Sequence, residues 1–300
     1  MKQEKTTINQ TNAVKDYIKG IKGQFIDRQA SNLIEDLKWL QLENVSQNKH
    51  DLFPTLVTGK GGNVLLLHGF DSCFLEYRRL IPFLKKNNKL IIPDLYGFGF
   101  SPRSIGNKYG FKYLMNHLNS VLNIFSIKNP IGIIGASMGG ALALELARQN
   151  PEKISKILLL SPAGLAGKNP KIPWPLNHFG AYFLSQPFVR KKLCRQAFAD
   201  PKKSVGPAEE QIASIHLKVP GWQSSLAAFA AEGGVSDCGL PKPSQPLKII
   251  LGKHDRIIPK NEKEEINKIY KSNIQIATNS GHLPHLEEPE IVAQAWKVFR

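Results

Sequence analysis

Ile131-Gly132-Ile133-Ile134-Gly135-Ala136-Ser137-Met138-Gly139-Gly140 is the stretch on which the reading of this 300-residue chain turns. A short apolar run ends in a Gly-x-Ser-x-Gly pentapeptide, and an alanine-rich, helix-forming run follows from Gly139 to Arg148. A strand that reverses sharply into a helix strains the serine backbone and brings the helix close to the strand, so its neighbours must be small. Gly135, Gly139 and Gly140 meet that need. Such a turn lifts the Ser137 hydroxyl clear of the sheet. It also sets the serine at a helix N-terminus, whose free N–H groups favour developing negative charge. Ser137 is the candidate nucleophile.

The same punctuation recurs outward along the chain. Apolar runs at Val64–Leu67, Leu90–Ile92, Ile157–Leu160, Leu247–Leu251 and Ile274–Ile276 each end in a turn or in small polar residues. Uninterrupted apolar runs suit strands buried on both faces of a parallel sheet. The intervals 74–86, 107–126, 138–150, 260–271 and 287–300 suit helices. Alternating strand and helix imply an open, largely parallel sheet of an α/β protein with helices on both faces. In such sheets the functional groups gather at the carboxyl ends of the strands. Upstream, Leu40–Val45 and Leu52–Val57 read as early strands, and Pro54 predicts that the second lies at an edge.

A serine needs a base, and the base needs an orienting carboxylate. His282, in Ser280-Gly281-His282 after the last strand, can swing back over Ser137. His285, beside Pro284 and Leu286, reads as a packing residue. Asp255 follows the Leu247–Leu251 run and precedes His282, giving the chain order Ser, Asp, His expected for this architecture. The strand before it ends Ser161-Pro162-Ala163, with no carboxylate, which strengthens Asp255. His254 reads as a surface residue and Asp94, in Pro93-Asp94-Leu95-Tyr96-Gly97, as a structural turn residue. The oxyanion needs two preorganised N–H donors. The backbones of Met138, after the nucleophile, and Phe70, in His68-Gly69-Phe70, are the candidates.

Composition narrows the classes. Apolar residues make up 42% of the chain, enough for a sizeable core. No run of 18 or more apolar residues predicts a membrane-spanning helix, and no secretory signal is expected in residues 1–30. Cys73, Cys194 and Cys238 lie far apart, without zinc-site spacing or a paired framework. A reducing, cytoplasmic setting is the expectation. The net charge of +16 is spread along the chain, and lysine outnumbers arginine 31 to 9. Arginine is the usual residue for bidentate phosphate and base recognition, so specific nucleic-acid reading is not expected. The expected reading of the charge is a lysine-rich solvated surface; the sharper one is attraction to an anionic substrate or peripheral contact with an anionic membrane surface. Its best local support is Arg190, Lys191, Lys192, Arg195, Lys202 and Lys203.

Two segments stand outside the rhythm. Residues 1–11 are polar and read as frayed. Val14, Ile18, Ile21 and Phe25 then mark one face of an amphipathic helix, weakened by Gly20 and Gly23, whose expected use is packing on the domain body. Residues 165–246 contain no clear strand but hold Trp174, Phe179, Tyr182, Phe183, Phe188, Phe198, Trp222 and Phe229, and read as a helical insertion.

Together, His68-Gly69-Phe70, Asp94 through Ser101, Gly135–Gly140, Gly252 with Asp255 and Pro259, and Gly281-His282 followed by Glu287-Glu288-Pro289 resemble the α/β-hydrolase fold family over about residues 40–300. The resemblance implies an open, mostly parallel, about eight-stranded sheet with a helical cap inserted after the sixth strand. The expected organisation is an N-terminal extension (1–39), a core (40–164 and 247–300) and a cap (165–246). It looks like the branch that includes esterases, carbon–carbon bond hydrolases, epoxide hydrolases and haloalkane dehalogenases. The last two use an aspartate nucleophile, from which Ser137 departs. Carbon–carbon bond hydrolases often carry Asn before the serine, where this chain has Ala136. The expected function is a serine hydrolase that cleaves a carboxylic ester or thioester of a hydrophobic substrate through Ser137, His282 and Asp255, with no cofactor and no metal. The alternatives are a carbon–carbon bond hydrolase on the same residues and a non-catalytic binding protein on this fold.

Overall fold

The structure, a computed structural model, describes residues 2–46, 50–104, 107–126 and 129–298. The chain opens with helices α1 (Lys2–Ile21) and α2 (Arg28–Leu33), followed by strands β1 (Leu37–Gln41), β2 (Leu52–Gly59) and β3 (Gly62–Leu67). Helix α3 (Ile81–Leu84) leads to β4 (Asn88–Pro93), α4 (Phe111–Phe125) to β5 (Ile131–Ala136), and α5 (Met138–Gln149) to β6 (Ile154–Leu160). Five helices follow: α6 (Leu176–Ser185), α7 (Pro187–Ala197), α8 (Pro201–Ser204), α9 (Pro207–Ile212) and α10 (Trp222–Ala231). The chain then resumes the sheet with β7 (Leu247–Gly252), α11 (Lys260–Tyr270) and β8 (Ile274–Ala277). It closes with α12 (Pro284–Glu287) and α13 (Pro289–Val298).

The eight strands form one sheet in the order β1-β2-β4-β3-β5-β6-β7-β8. β2 runs antiparallel to both neighbours and every other pair from β4 to β8 is parallel. Successive residues of each central strand enter opposite cores. Leu65, Ile133, Leu159 and Ile249 pack with α4, α5 and α11, while Leu66, Ile134, Leu158 and Ile250 pack with α1, α3 and α13. Burial on both faces is why these strands read as unbroken apolar runs.

The N-terminal stripe is used internally: Val14, Ile18 and Ile21 are buried in the second core, and Tyr17 Oη donates to the Ile215 carbonyl at 2.7 Å. The helix starts at Lys2, earlier than the polar composition of residues 1–11 predicts, and Thr11 is docked by the Leu52 N–H at 3.4 Å. The first strand covers 37–41 instead of 40–45; Leu42 and Val45 are buried in the loop that follows.

The segment 74–86 is broken into a 3₁₀ turn (Phe74–Tyr77) and α3, since Pro82 lacks the N–H that a helix continuing from Arg78 would need. Of the helix expected over 287–300, residues 289–298 form α13 and 299–300 lie outside the described residues.

Pro54 does not place β2 at an edge. β2 lies second from the edge, between β1 and β4. Pro54 faces Asp94 at the end of the β2–β4 ladder, where the Asp94 N–H donates to the Pro54 carbonyl at 3.1 Å. The return bond would need the N–H that proline lacks. The Ser101 hydroxyl supplies it instead, donating to the Asp94 carbonyl at 3.0 Å. The missing donor is replaced, so the strand can sit inside the sheet.

Candidate active site

Ser137 sits between β5 and α5 with φ +51° and ψ −121°. A non-glycine residue in this region costs roughly 1–3 kcal/mol and persists only where the surroundings fix it. Here the Ser137 N–H donates to the Leu160 carbonyl at 2.9 Å, and its carbonyl accepts from Gly140 N–H at 2.9 Å and Ala163 N–H at 3.1 Å. The elbow is thus tied to the end of β6. The helix follows at a distance only glycine allows: a Cβ at Gly139 would lie 2.1 Å from the Leu67 carbonyl oxygen.

His282 occupies the loop between β8 and α12. Its Nδ1 lies 2.9 Å from Asp255 Oδ2, and the other Asp255 oxygen accepts the N–H groups of Ile257 at 2.7 Å and Ile258 at 3.1 Å. Burial pushes the Asp255 carboxyl up, but the hydrogen bond and charge of His282 and the two backbone donors outweigh it and hold the group below the usual carboxylate range. An ionised Asp255 fixes the tautomer with hydrogen on Nδ1 and leaves Nε2 able to accept a proton.

The histidine loop is clamped from two sides. Glu287 accepts Gly281 N–H at 2.7 Å and Ala199 N–H at 2.8 Å, and the His282 N–H donates to the Ala197 carbonyl at 2.7 Å. Ser280 Oγ donates to Glu288 at 2.7 Å.

On the opposite side of Ser137, residues 68–70 form a rigid turn. The Leu95 N–H donates to His68 Nε2 at 3.0 Å, which places the ring hydrogen on Nδ1, 2.8 Å from the Gly69 carbonyl. Burial lowers the His68 pKa to about 4, so the ring is neutral at physiological pH. Gly69 N–H is taken by the Glu76 carboxylate at 3.2 Å, whereas Phe70 N–H and Met138 N–H have no hydrogen-bond partner among the described residues. The Phe70 ring is 45% exposed and rests on Phe98 and Phe229.

Ser137, Phe70 and His282 line one cavity of about 260 Å³. Asp255 and Met138 are not in its wall; Asp255 touches His282 from behind. The β6–β7 insertion supplies Leu184, Leu193 and Phe198 to the wall, and Leu283 and Leu286 add to a mostly apolar surface that Asp71, Glu76, Arg78, Arg190 and Glu209 interrupt. Of the residues expected from the sequence, Ser137 and His282 line the same cavity and Asp255 bonds to His282. His254 is exposed, His285 is buried with Nε2 3.2 Å from Glu76, and Asp94 accepts Phe74 and Phe100 N–H groups, each at 2.6 Å, as a turn residue.

A polar node in the cavity wall, formed around Asp71 and Arg190, was not legible in the sequence. Asp71, at φ +49°, accepts from Trp222 Nε1 at 2.8 Å, faces His216 Nε2 at 3.0 Å and pairs with Arg190 at 2.5 Å. Burial lowers the His216 pKa, so the ring is neutral and donates through Nε2, while Arg190 compensates the Asp71 charge. Arg190 therefore points inward and is not part of the exposed basic surface that its neighbours in sequence suggest. The available signal was only position: Asp71 directly follows His68-Gly69-Phe70, while its partners lie more than a hundred residues on.

An open, mostly parallel sheet with a strained serine elbow at its centre and a carboxylate-bound histidine at its far strands defines a class. Residues 62–289 match the family model described as alpha/beta hydrolase fold, and the chain belongs to that family. It is a hydrolase.

Among its relatives is the 2-hydroxy-6-oxo-2,4-heptadienoate hydrolase of Pseudomonas putida, 26% identical over 81% of this chain and 88% of that protein. The monoacylglycerol lipase abhd6-B of Xenopus laevis is 26% identical over 80% of this chain and 77% of its own length. Among solved structures, the epoxide hydrolase CorEH superposes with a TM-score of 0.71 at 18% identity, covering 88% of this chain and 97% of that one, a likeness of fold. No helix among the described residues is long and apolar enough to cross a membrane.

Proposed function

We propose that the chain cleaves a carboxylic ester or thioester of a small hydrophobic substrate by way of an acyl-enzyme. The observation that carries this reading is that Ser137 and His282 line one mostly apolar cavity, with His282 Nδ1 2.9 Å from Asp255 Oδ2. Ser137 Oγ attacks the carbonyl carbon while His282 Nε2 takes its proton. Asp255 stabilises the resulting imidazolium, and the Phe70 and Met138 N–H groups receive the oxyanion. The imidazolium protonates the departing alcohol or thiol. His282 then activates water, which releases the acid and restores the serine. No cofactor or metal enters these steps. In this reading residues 1–39 are an extension, 40–164 with 247–300 the core, and 165–246 a cap that closes the cavity.

Carbon–carbon bond hydrolysis on the same residues is the second reading, favoured by the activity for which the Pseudomonas putida relative is named. A p-nitrophenyl ester series from C2 to C16, run with wild type and Ser137→Ala in parallel, tests the first. Turnover by wild type alone supports the ester reading. No turnover on any ester, with fluorophosphonate still labelling Ser137, favours the second. No labelling at all favours a non-catalytic binding protein.

A further inference from the structure

We infer that the outer face of α6 and the start of α7 is a docking surface for an anionic lipid bilayer. Trp174, Leu176, Phe179, Tyr182, Phe183 and Phe188 are all more than half exposed, Trp174 reaching 77%. Four of them form one patch: Leu176, Phe179 and Phe183 recur at +3 and +4 along α6, and the Phe183 and Phe188 rings meet edge to face at 6.1 Å across the turn into α7; Trp174 lies two residues before the helix starts. The opposite face of α6 is already used, since Asn177 and Ala181 are buried and Asn177 Nδ2 donates to the Ala227 carbonyl at 3.1 Å. Contiguous exposed apolar surface of this kind marks an interaction site in a soluble protein.

Charge identifies the occupant. Residues 153–199 contain no Asp or Glu. Lys168 and Lys171 precede Trp174, and Lys192 lies one helical turn beyond Phe188; none of the three has an acidic partner among the described residues. Aromatic rings with a basic margin suit the headgroup layer of an anionic leaflet, where Trp and Tyr settle and lysines gain from the surface potential. A second copy of the chain would bring the same lysines against themselves, because a two-fold interface pairs a patch with itself. The inner side of the same hairpin supplies Leu184 and Leu193 to the cavity wall. A docked bilayer would therefore lie directly across that wall from the cavity, the place from which a lipid ester could be drawn. That last point rests on the proposed function; the docking itself does not.

The test reads binding without catalysis. Full-length protein is floated with vesicles of phosphatidylcholine alone or mixed with phosphatidylglycerol, at low and high salt. The wild type is expected on the anionic vesicles, with binding falling as salt rises. Phe179→Ser with Phe188→Ser is expected to reduce the bound fraction at least tenfold. Lys171→Ala with Lys192→Ala should weaken binding about fivefold for each lysine removed. Circular dichroism identical to wild type excludes unfolding of the variants. No binding at low salt, or equal binding by the aromatic variant, overturns the proposal. So does a dimer seen by light scattering that the aromatic variant abolishes, which would assign the face to a second copy. Ester turnover with no vesicle binding would sink the docking and leave the hydrolase reading intact.

Discussion

The backbone N–H of His282 donates to the carbonyl of Ala197 at 2.7 Å, which joins the proposed base directly to the last turn of α7. Glu287 doubles the connection by accepting from Gly281 and Ala199 together. The insertion thus does more than supply part of the cavity wall, because its position and that of His282 are set by the same bonds. Glu287→Gln keeps the shape but replaces one acceptor oxygen with a donor. It is expected to lower kcat by roughly 10- to 100-fold, the scale of a small misplacement of a reacting group. KM and thermal midpoint should change little, and fluorophosphonate labelling should slow in parallel with turnover. A large drop in midpoint with unchanged labelling per folded molecule would assign Glu287 a purely structural role.

Removing the proposed nucleophile or its support has a graded cost. Ser137→Ala should reduce turnover by about 10⁴- to 10⁶-fold. Asp255→Asn should cost about 10⁴-fold in kcat by presenting the wrong tautomer of His282. Single-turnover assays on the best p-nitrophenyl ester check both. Substantial turnover by Ser137→Ala would contradict the mechanism.

The Asp71 node gives a signature at acid pH. Burial alone would raise the Asp71 pKa, but His216, Arg190 and Trp222 outweigh it and bring the group from 3.8 to about 2. A depressed carboxyl pKa stabilises the fold above the unfolded value, and that stability is lost as pH falls through the folded one. Urea unfolding is therefore expected to show a loss of stability between about pH 4 and pH 2 that is smaller in Asp71→Asn. Parallel pH profiles for the two proteins would remove Asp71 from the account.

Gly139→Ala would place a methyl carbon 2.1 Å from the Leu67 carbonyl oxygen, part of the backbone of β3 that cannot turn aside. The cost is expected to be about 2–3 kcal/mol, the scale of overpacking a rigid site, read as a lower urea midpoint. Gly180→Ala, where the added carbon meets nothing within 4 Å, is the control and should leave the midpoint unchanged or slightly raised.

Strands β3 to β7 were legible because buried parallel strands write themselves as apolar runs, and Ser137, Asp255 and His282 drew notice as candidates because they follow strands; β8 lies at the edge with Ile276 exposed and was marked only by a short Ile-Gln-Ile stretch. The errors came where a local rule met a distant partner. Pro54 argued for an edge, but Ser101, far along the chain, supplies the missing donor. Residues 1–11 looked unstructured, but Thr11 docks on Leu52. Arg190 looked like one of a basic cluster, but Asp71 turns it inward. In each case the deciding contact joins residues that no periodicity or motif connects.

The chain order of the site has a consequence for synthesis. Ser137 is made early, then the whole insertion, then Asp255, and only then His282 and α13, whose Trp296 fills the space beside Gly132 at the start of β5. At about 5–20 residues per second, roughly 7–30 s separate the serine from the histidine on the ribosome. In the proposed mechanism the serine lacks its base throughout that interval, so the nascent chain is expected to be inert towards esters until its last strands are made.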